Sequence, residues 1–128
     1  MLFVRASPWW NEEGTLIDLT REVLYQNHPQ KAESIIRSGV GYIAFGNLYI
    51  MLDTIARAAG EAGPENFDSE TLYRTLQSYS MTIDGIELAS FNATKRFATN
   101  YYGIYRADGA QEDVFRIDPE WYPQVMEP

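Results

Sequence analysis

The stretch that most constrains the fold is Ser38–Gly60, SGVGYIAFGNLYIMLDTIARAAG, the longest apolar-periodic segment of the chain. On a helix at ~100° per residue, Val40, Ala44, Leu48, Met51, Leu52, Ile55 and Ala59 share one broad arc. The spacing therefore predicts a central buried helix with that arc turned inward. Ser38 is placed to cap its start, and Gly60 to close its end as the left-handed residue. Tyr42 falls in the first turn, off the centre of the arc. Two readings of it stay open. Its hydroxyl, beside free backbone N–H groups, is placed to receive an anionic group, or its ring packs at the border of the helix.

Around this segment the chain reads as one short strand, three helices and a β-rich last third. Leu2–Arg5 is a brief β-like run ended by Ser7–Pro8, with Trp9 and Trp10 next. Asn11-Glu-Glu-Gly introduces a helix over Thr15–Tyr25, with Leu16, Leu19, Val23 and Leu24 facing inward. Glu12, Glu13 and Asp18 suit the positive end of its dipole and read as a solvated face. His28–Pro29 ends it, and Lys31–Arg37 reads as a polar connector with modest helical character.

Beyond the central helix, Glu61–Phe67 is a loop. Asp68 reads as the cap of a third helix, Ser69–Tyr79, with Leu72, Leu76 and Tyr79 as its buried stripe. From Met81 the period changes. Ile86–Phe91, Asn100–Arg106 and Val114–Ile117 read as strands, Asp84–Gly85 as turn residues, and Asp108–Gly109 as a hairpin turn. Asp118–Pro123 reads as a short turn or a single helical turn, followed by a tail.

The 128 residues suffice for one domain with a core, and carry a net charge of −8, which argues against non-specific nucleic-acid binding and docking on anionic membranes. No cysteine is present, so disulfides and thiolate metal sites are excluded and the redox compartment stays open. MLFVRASPWW does not have the form of a signal peptide. No glycine-rich phosphate loop, HExxH or nucleophile elbow occurs, and His28 is the sole histidine. Neither an enzyme nor a cofactor is expected. Asp53 and Arg57 form an i,i+4 pair worth about 0.3 kcal/mol.

Four pieces, in order, resemble the C-terminal portion of a type I periplasmic-binding-protein-like receptor, in the branch of the branched-chain amino-acid (Leu/Ile/Val) substrate-binding proteins of ABC transporters. FVRASPWWNEEG resembles the strand re-entering the first lobe and the helix after it. SGVGYIAFGNLYIMLDTIARAAG resembles the family's GYDA-type helix, with Tyr42 at the aromatic position. FDSETLYRTLQSYSMTIDGIELASF resembles the next helix and strand, and NYYGIYRADGAQEDVFRI the closing hairpin.

The resemblance implies an α/β fold, a partial type I periplasmic-binding-protein lobe. Residues 1–80 would be the helical part returning to the first lobe, and 81–128 the final hinge crossing and closing hairpin. The greater part of such a protein would precede residue 1, with its signal peptide and most ligand contacts. Of the family's ligand-binding positions Tyr42 has a match here, and Trp9 and Trp10 sit where the chain would face the cleft.

The implied function is that of the extracellular solute-binding component of an ABC transporter, periplasmic or at the cell surface. Its partners would be a branched-chain amino acid and the transporter's membrane subunits. As a C-terminal fragment, the chain by itself would not be binding-competent. A ligand-sensing domain of a regulatory receptor, or an independent oligomeric interaction module, are the alternatives. Open strand edges and apolar helix faces predict a homo-oligomer, formed in one version by exchange of the β-rich third.

Overall fold

The computed structural model describes residues 1–125, with the Val40 side chain outside the described set. The chain is mixed α/β, with four α-helices and antiparallel sheets among the described residues. Strand β1 (Leu2–Arg5) leads into α1 (Thr15–Asn27), α2 (Ala32–Ser38), α3 (Val40–Ala62) and α4 (Ser69–Gln77). Strands β2 (Ser80–Ile83), β3 (Ile86–Ser90), β4 (Tyr101–Asp108), β5 (Asp113–Arg116) and β6 (Tyr122–Pro123) follow. The polar connector expected at Lys31–Arg37 is thus a helix, making four rather than three.

The central helix begins and ends later than expected. Ser38 closes α2, and its hydroxyl donates to the Ile35 carbonyl at 2.7 Å instead of capping α3. Gly39, at φ 69°, makes the corner between α2 and α3, a conformation that costs a side-chain-bearing residue more than glycine. At the far end Gly60 continues the helix. The left-handed residue is Gly63, at φ 82°, followed by a 3-10 turn over Pro64–Asn66.

The first half of the expected inward arc faces outward, while Ile55 and Ala59 further along are half-buried. Leu48, Met51 and Leu52 are 46%, 53% and 54% exposed. Tyr42, Phe45 and Tyr49 recur at three- and four-residue spacing on another face. They pack there with Trp10, Leu16 and Ile17, because each aromatic ring buries more apolar area than a Leu or Met. Further along, α3 turns the small residues Thr54 and Ala58 inward and lies along α4, whose buried positions are Thr71 and Thr75. On α1 the expected Leu16 is buried and Leu24 packs on the core, with Ile17 and Thr20 buried beside them, while Leu19 and Val23 are exposed. The Val40 position of the arc lies outside the described residues, as do residues 126–128 of the expected tail.

Asp68 caps α4 as its sequence position predicts, its carboxylate accepting from the Thr71 N–H at 2.8 Å. The expected Asp53–Arg57 pair forms at 2.8 Å. Tyr79, expected on α4, lies just past its end and is buried, its hydroxyl donating to Asp53 at 2.9 Å. Arg57 covers the Tyr79 ring at 4.8 Å, so this trio ties α3 to the start of β2.

β4 is the spine of the sheet, in the order β1-β4-β5, with β6 also paired to β4. β1 lies antiparallel to it, Leu2 opposite Arg106 and Arg5 opposite Gly103. β2 and β3 form a separate hairpin with Ile83 opposite Ile86. Its two-residue loop is Asp84–Gly85, at φ 52° and 81°, the backbone a tight hairpin requires. In the β4–β5 hairpin the Asp108 carboxylate accepts from the Ala110 and Gln111 N–H groups at 2.9 and 3.2 Å. The left-handed residue there is Glu112, at φ 52°, not Gly109.

Candidate functional site

The segment Ser7–Asn11 leaves β1, crosses the molecule and separates two cavities. On one side a cleft of about 700 Å³ opens between α2 and the β4–β5 hairpin, with Trp9, Trp10, Glu33, Arg37, Glu112 and Asp113 in its walls. On the other, a largely apolar pocket of about 370 Å³ lies between β1, α3 and β3. Volumes of this order suit small solutes.

Glu12 holds this wall in place. Its Oε1 accepts from the Trp9 N–H at 2.6 Å and from the Tyr105 hydroxyl at 2.7 Å, and its Oε2 accepts from Arg116 at 3.3 Å. The expected solvated face is therefore overturned at Glu12: three donors from β4, β5 and its own loop draw the carboxylate inward. Asp18 and Glu13 stay exposed, Asp18 pairing with Arg21. Arg116 also covers Trp121 at 4.1 Å and donates to the carbonyls of Pro119 and Glu120. Burial, then the Glu12 hydrogen bond, pushes the Tyr105 hydroxyl above its ordinary value.

Asp84, a turn residue by its chemistry, has a second task. Its carboxylate accepts from the Thr15 hydroxyl at 2.5 Å and from the Thr15 N–H at 3.0 Å, capping α1 from the β2–β3 hairpin. Those bonds hold Asp84 below the usual carboxylate range.

The three sequence-predicted site residues are brought together, but they do not face one cavity. Trp10 and Tyr42 meet edge to face at 5.7 Å and are 5% and 4% exposed, so both belong to the core. Tyr42 borders the apolar pocket, and burial, with smaller contributions from Glu12 and Asp84, pushes its hydroxyl up to about 12. Trp9 is half-buried and donates its indole N–H to Asp113 at 2.6 Å. Burial pushes the Asp113 carboxyl up, but the bonds from Trp9, Val114 and Asn11 outweigh it and hold the group below its ordinary value.

Sequence reasoning missed Arg5. It was read only as the end of a strand, yet its guanidinium lies 4.5 Å from the centre of the Trp9 ring and 6.0 Å from that of Tyr105. The signal was present in the alternation of β1, which puts Phe3 and Arg5 on one face with a tryptophan four residues on.

Among the described residues no group of three His, Asp or Glu side chains is arranged to hold a metal, and His28 is exposed. Among the described residues no single helix is long and apolar enough to cross a membrane, and only the sharply bent α2–α3 pair meets that test, by length and composition alone. Comparison of the chain with protein-family models, with curated proteins and with solved structures finds no match.

Proposed function

We propose that the chain is the C-terminal part of an extracellular solute-binding protein of the branched-chain amino-acid ABC-transporter class, with the Trp9–Trp10 cleft receiving one side of the solute. The observation that carries this reading is the composition of that cleft. Tryptophan offers apolar surface, Arg37 a cation for a carboxylate, and Glu33 and Glu112 acceptors for an ammonium group. Those are the three features by which an amino acid is recognised. In this reading the remaining contacts come from a facing lobe, so the chain alone binds weakly. Its surroundings would be the periplasm or cell surface, and its partner the transporter's membrane subunits.

The test is titration with leucine, isoleucine and valine, followed by the indole N–H signals of Trp9 and Trp10 in NMR spectra. Shifts that saturate only at millimolar concentrations, and that weaken in Arg37→Ala, are expected. Indole signals unmoved by all three amino acids would refute the cleft assignment. Tight binding by calorimetry would refute the claim that the site is partial.

A second reading, self-association, is favoured by the outer face of α3. Ala44, Leu48 and Met51 recur at four- and three-residue spacing with Leu52 beside them, a seam that suits a second copy of the same helix. Each copy would contribute on the order of a few hundred Å² of apolar surface, at the low end for protein association. A concentration-dependent homodimer is the form this reading takes.

A further inference from the structure

The pocket on the far side of the Trp9 wall has a different chemistry from the cleft. Its lining is mostly aliphatic, with Ile43, Ile50, Met81 and Leu88 among the walls, and among the described residues no acidic side chain borders it. Its one cation is Arg5. None of the three ion pairs among the described residues includes Arg5, and its Nε is buried with no hydrogen-bond partner. Glu12, the nearby carboxylate, is already engaged by Trp9, Tyr105 and Arg116.

The guanidinium lies over the Trp9 ring, and among the described residues its two terminal Nη atoms make no hydrogen bond and, unlike Nε, stay accessible. Burial depresses the Arg5 pKa, with Tyr105 and Glu12 opposing that shift, so the charge is held in a partly desolvated place. The two accessible Nη donors match a carboxylate end-on and bidentately.

We propose that this pocket binds an aliphatic monocarboxylate that carries no amine, with its carboxylate on Arg5 and its hydrocarbon body against Ile50, Met81 and Leu88. The missing acidic side chain decides against an amino acid, whose ammonium would enter the pocket without a counter-charge. This site is separate from the Trp9–Trp10 cleft and does not depend on the function proposed for it.

The probes are 4-methylpentanoate, its neutral amide and leucine, titrated into the full chain while the methyl signals of Ile43, Ile50, Met81 and Leu88 are followed by NMR. The acid is expected to move these methyls, with the amide and leucine each weaker by about tenfold or more. Arg5→Gln should reduce the acid to the affinity of the amide, and Arg5→Lys should restore part of the difference. Equal binding of acid and amide, leucine binding as well as the acid, or an unaltered affinity in Arg5→Gln would overturn the assignment, as would methyl signals unmoved by the acid. If Arg5→Gln loses its native circular dichroism, the acid–amide comparison on the unaltered chain decides the matter alone. Because Arg37 lines the cleft and not this pocket, Arg37→Ala should weaken leucine at the cleft and leave the methyl shifts caused by the acid unaltered, so the two sites stand or fall separately.

Discussion

Replacing Tyr105 by phenylalanine removes one hydroxyl from the centre of the molecule and leaves the shape of the core intact. Tyr105 is fully buried, and that hydroxyl donates to the Glu12 carboxylate at 2.7 Å. A hydrogen bond to a charged group contributes about 1.5–3 kcal/mol. Glu12 Oε1 keeps the Trp9 N–H at 2.6 Å in the variant, so we expect a loss near the middle of that range, about 2 kcal/mol. Urea unfolding at neutral pH, with a slope of about 2 kcal/mol per molar, should show the midpoint falling by about 1 M.

The same variant carries a pH signature. Burial and Glu12 raise the Tyr105 pKa in the folded state, so as pH rises the unfolded chain loses this proton first. The stabilisation is complete below about pH 10 and falls by about 1.4 kcal/mol for each pH unit above it. A difference of about 2 kcal/mol should therefore close near about pH 11.5. Tyr42 and Tyr79 are raised too and weaken both proteins alike, leaving the difference to report on Tyr105. Identical midpoints at neutral pH, or a gap as wide at pH 11 as at pH 8, would refute the reasoning.

Two further outcomes follow from the packing. Gly39→Ala places a methyl group at φ 69° and 2.6 Å from the Trp9 ring. A loss of about 2–4 kcal/mol is expected, with red-shifted tryptophan emission as Trp9 gives way; an unchanged thermal melt would contradict it. Met51→Glu alters an exposed side chain and should leave folding stability within about 0.5 kcal/mol. In light scattering the unaltered chain should gain mass with concentration and Met51→Glu should not. An unaltered chain that stays monomeric at high concentration removes the α3 interface.

Where a local signal and the tertiary structure agree, the sequence was a good guide. Asp68 capped its helix, Asp84–Gly85 closed a two-residue turn, Asp53 met Arg57, and β1, β3, β4 and β5 lay close to their expected places. The errors have one physical source: a periodic apolar stripe gives the presence of a helix, but not which face another element will cover. On α3 the Leu and Met stripe lost the core to Tyr42, Phe45 and Tyr49; where α3 meets α4, threonine and alanine are the fully buried positions of the helices, while Tyr79 is buried and Leu76 packs beside it as expected. Strand β2 and the two-residue β6 were missed because their partners, not their composition, define them. The sequence singled out Trp9, Trp10 and Tyr42, and the structure brings the three together, with Trp10 and Tyr42 in the core. Glu12 and Asp84 were hidden because their partners lie in distant segments, Tyr105 for Glu12 and Thr15 for Asp84, whereas the nearer ring partner of Arg5 is the local Trp9, four residues on.

The pairing of β1 with β4 joins positions about a hundred residues apart. Loop closure over that length must precede any gain from the ladder, which places the chain among slower folders than its helical content suggests. At about 5–20 residues per second on a ribosome, β1 waits on the order of ten seconds for its partner. Through that interval Leu2 and Val4 have no sheet to join, and the Arg5–Trp9 stack can form without it. Trp9 emission should then report an early, local event, and the sheet a late one.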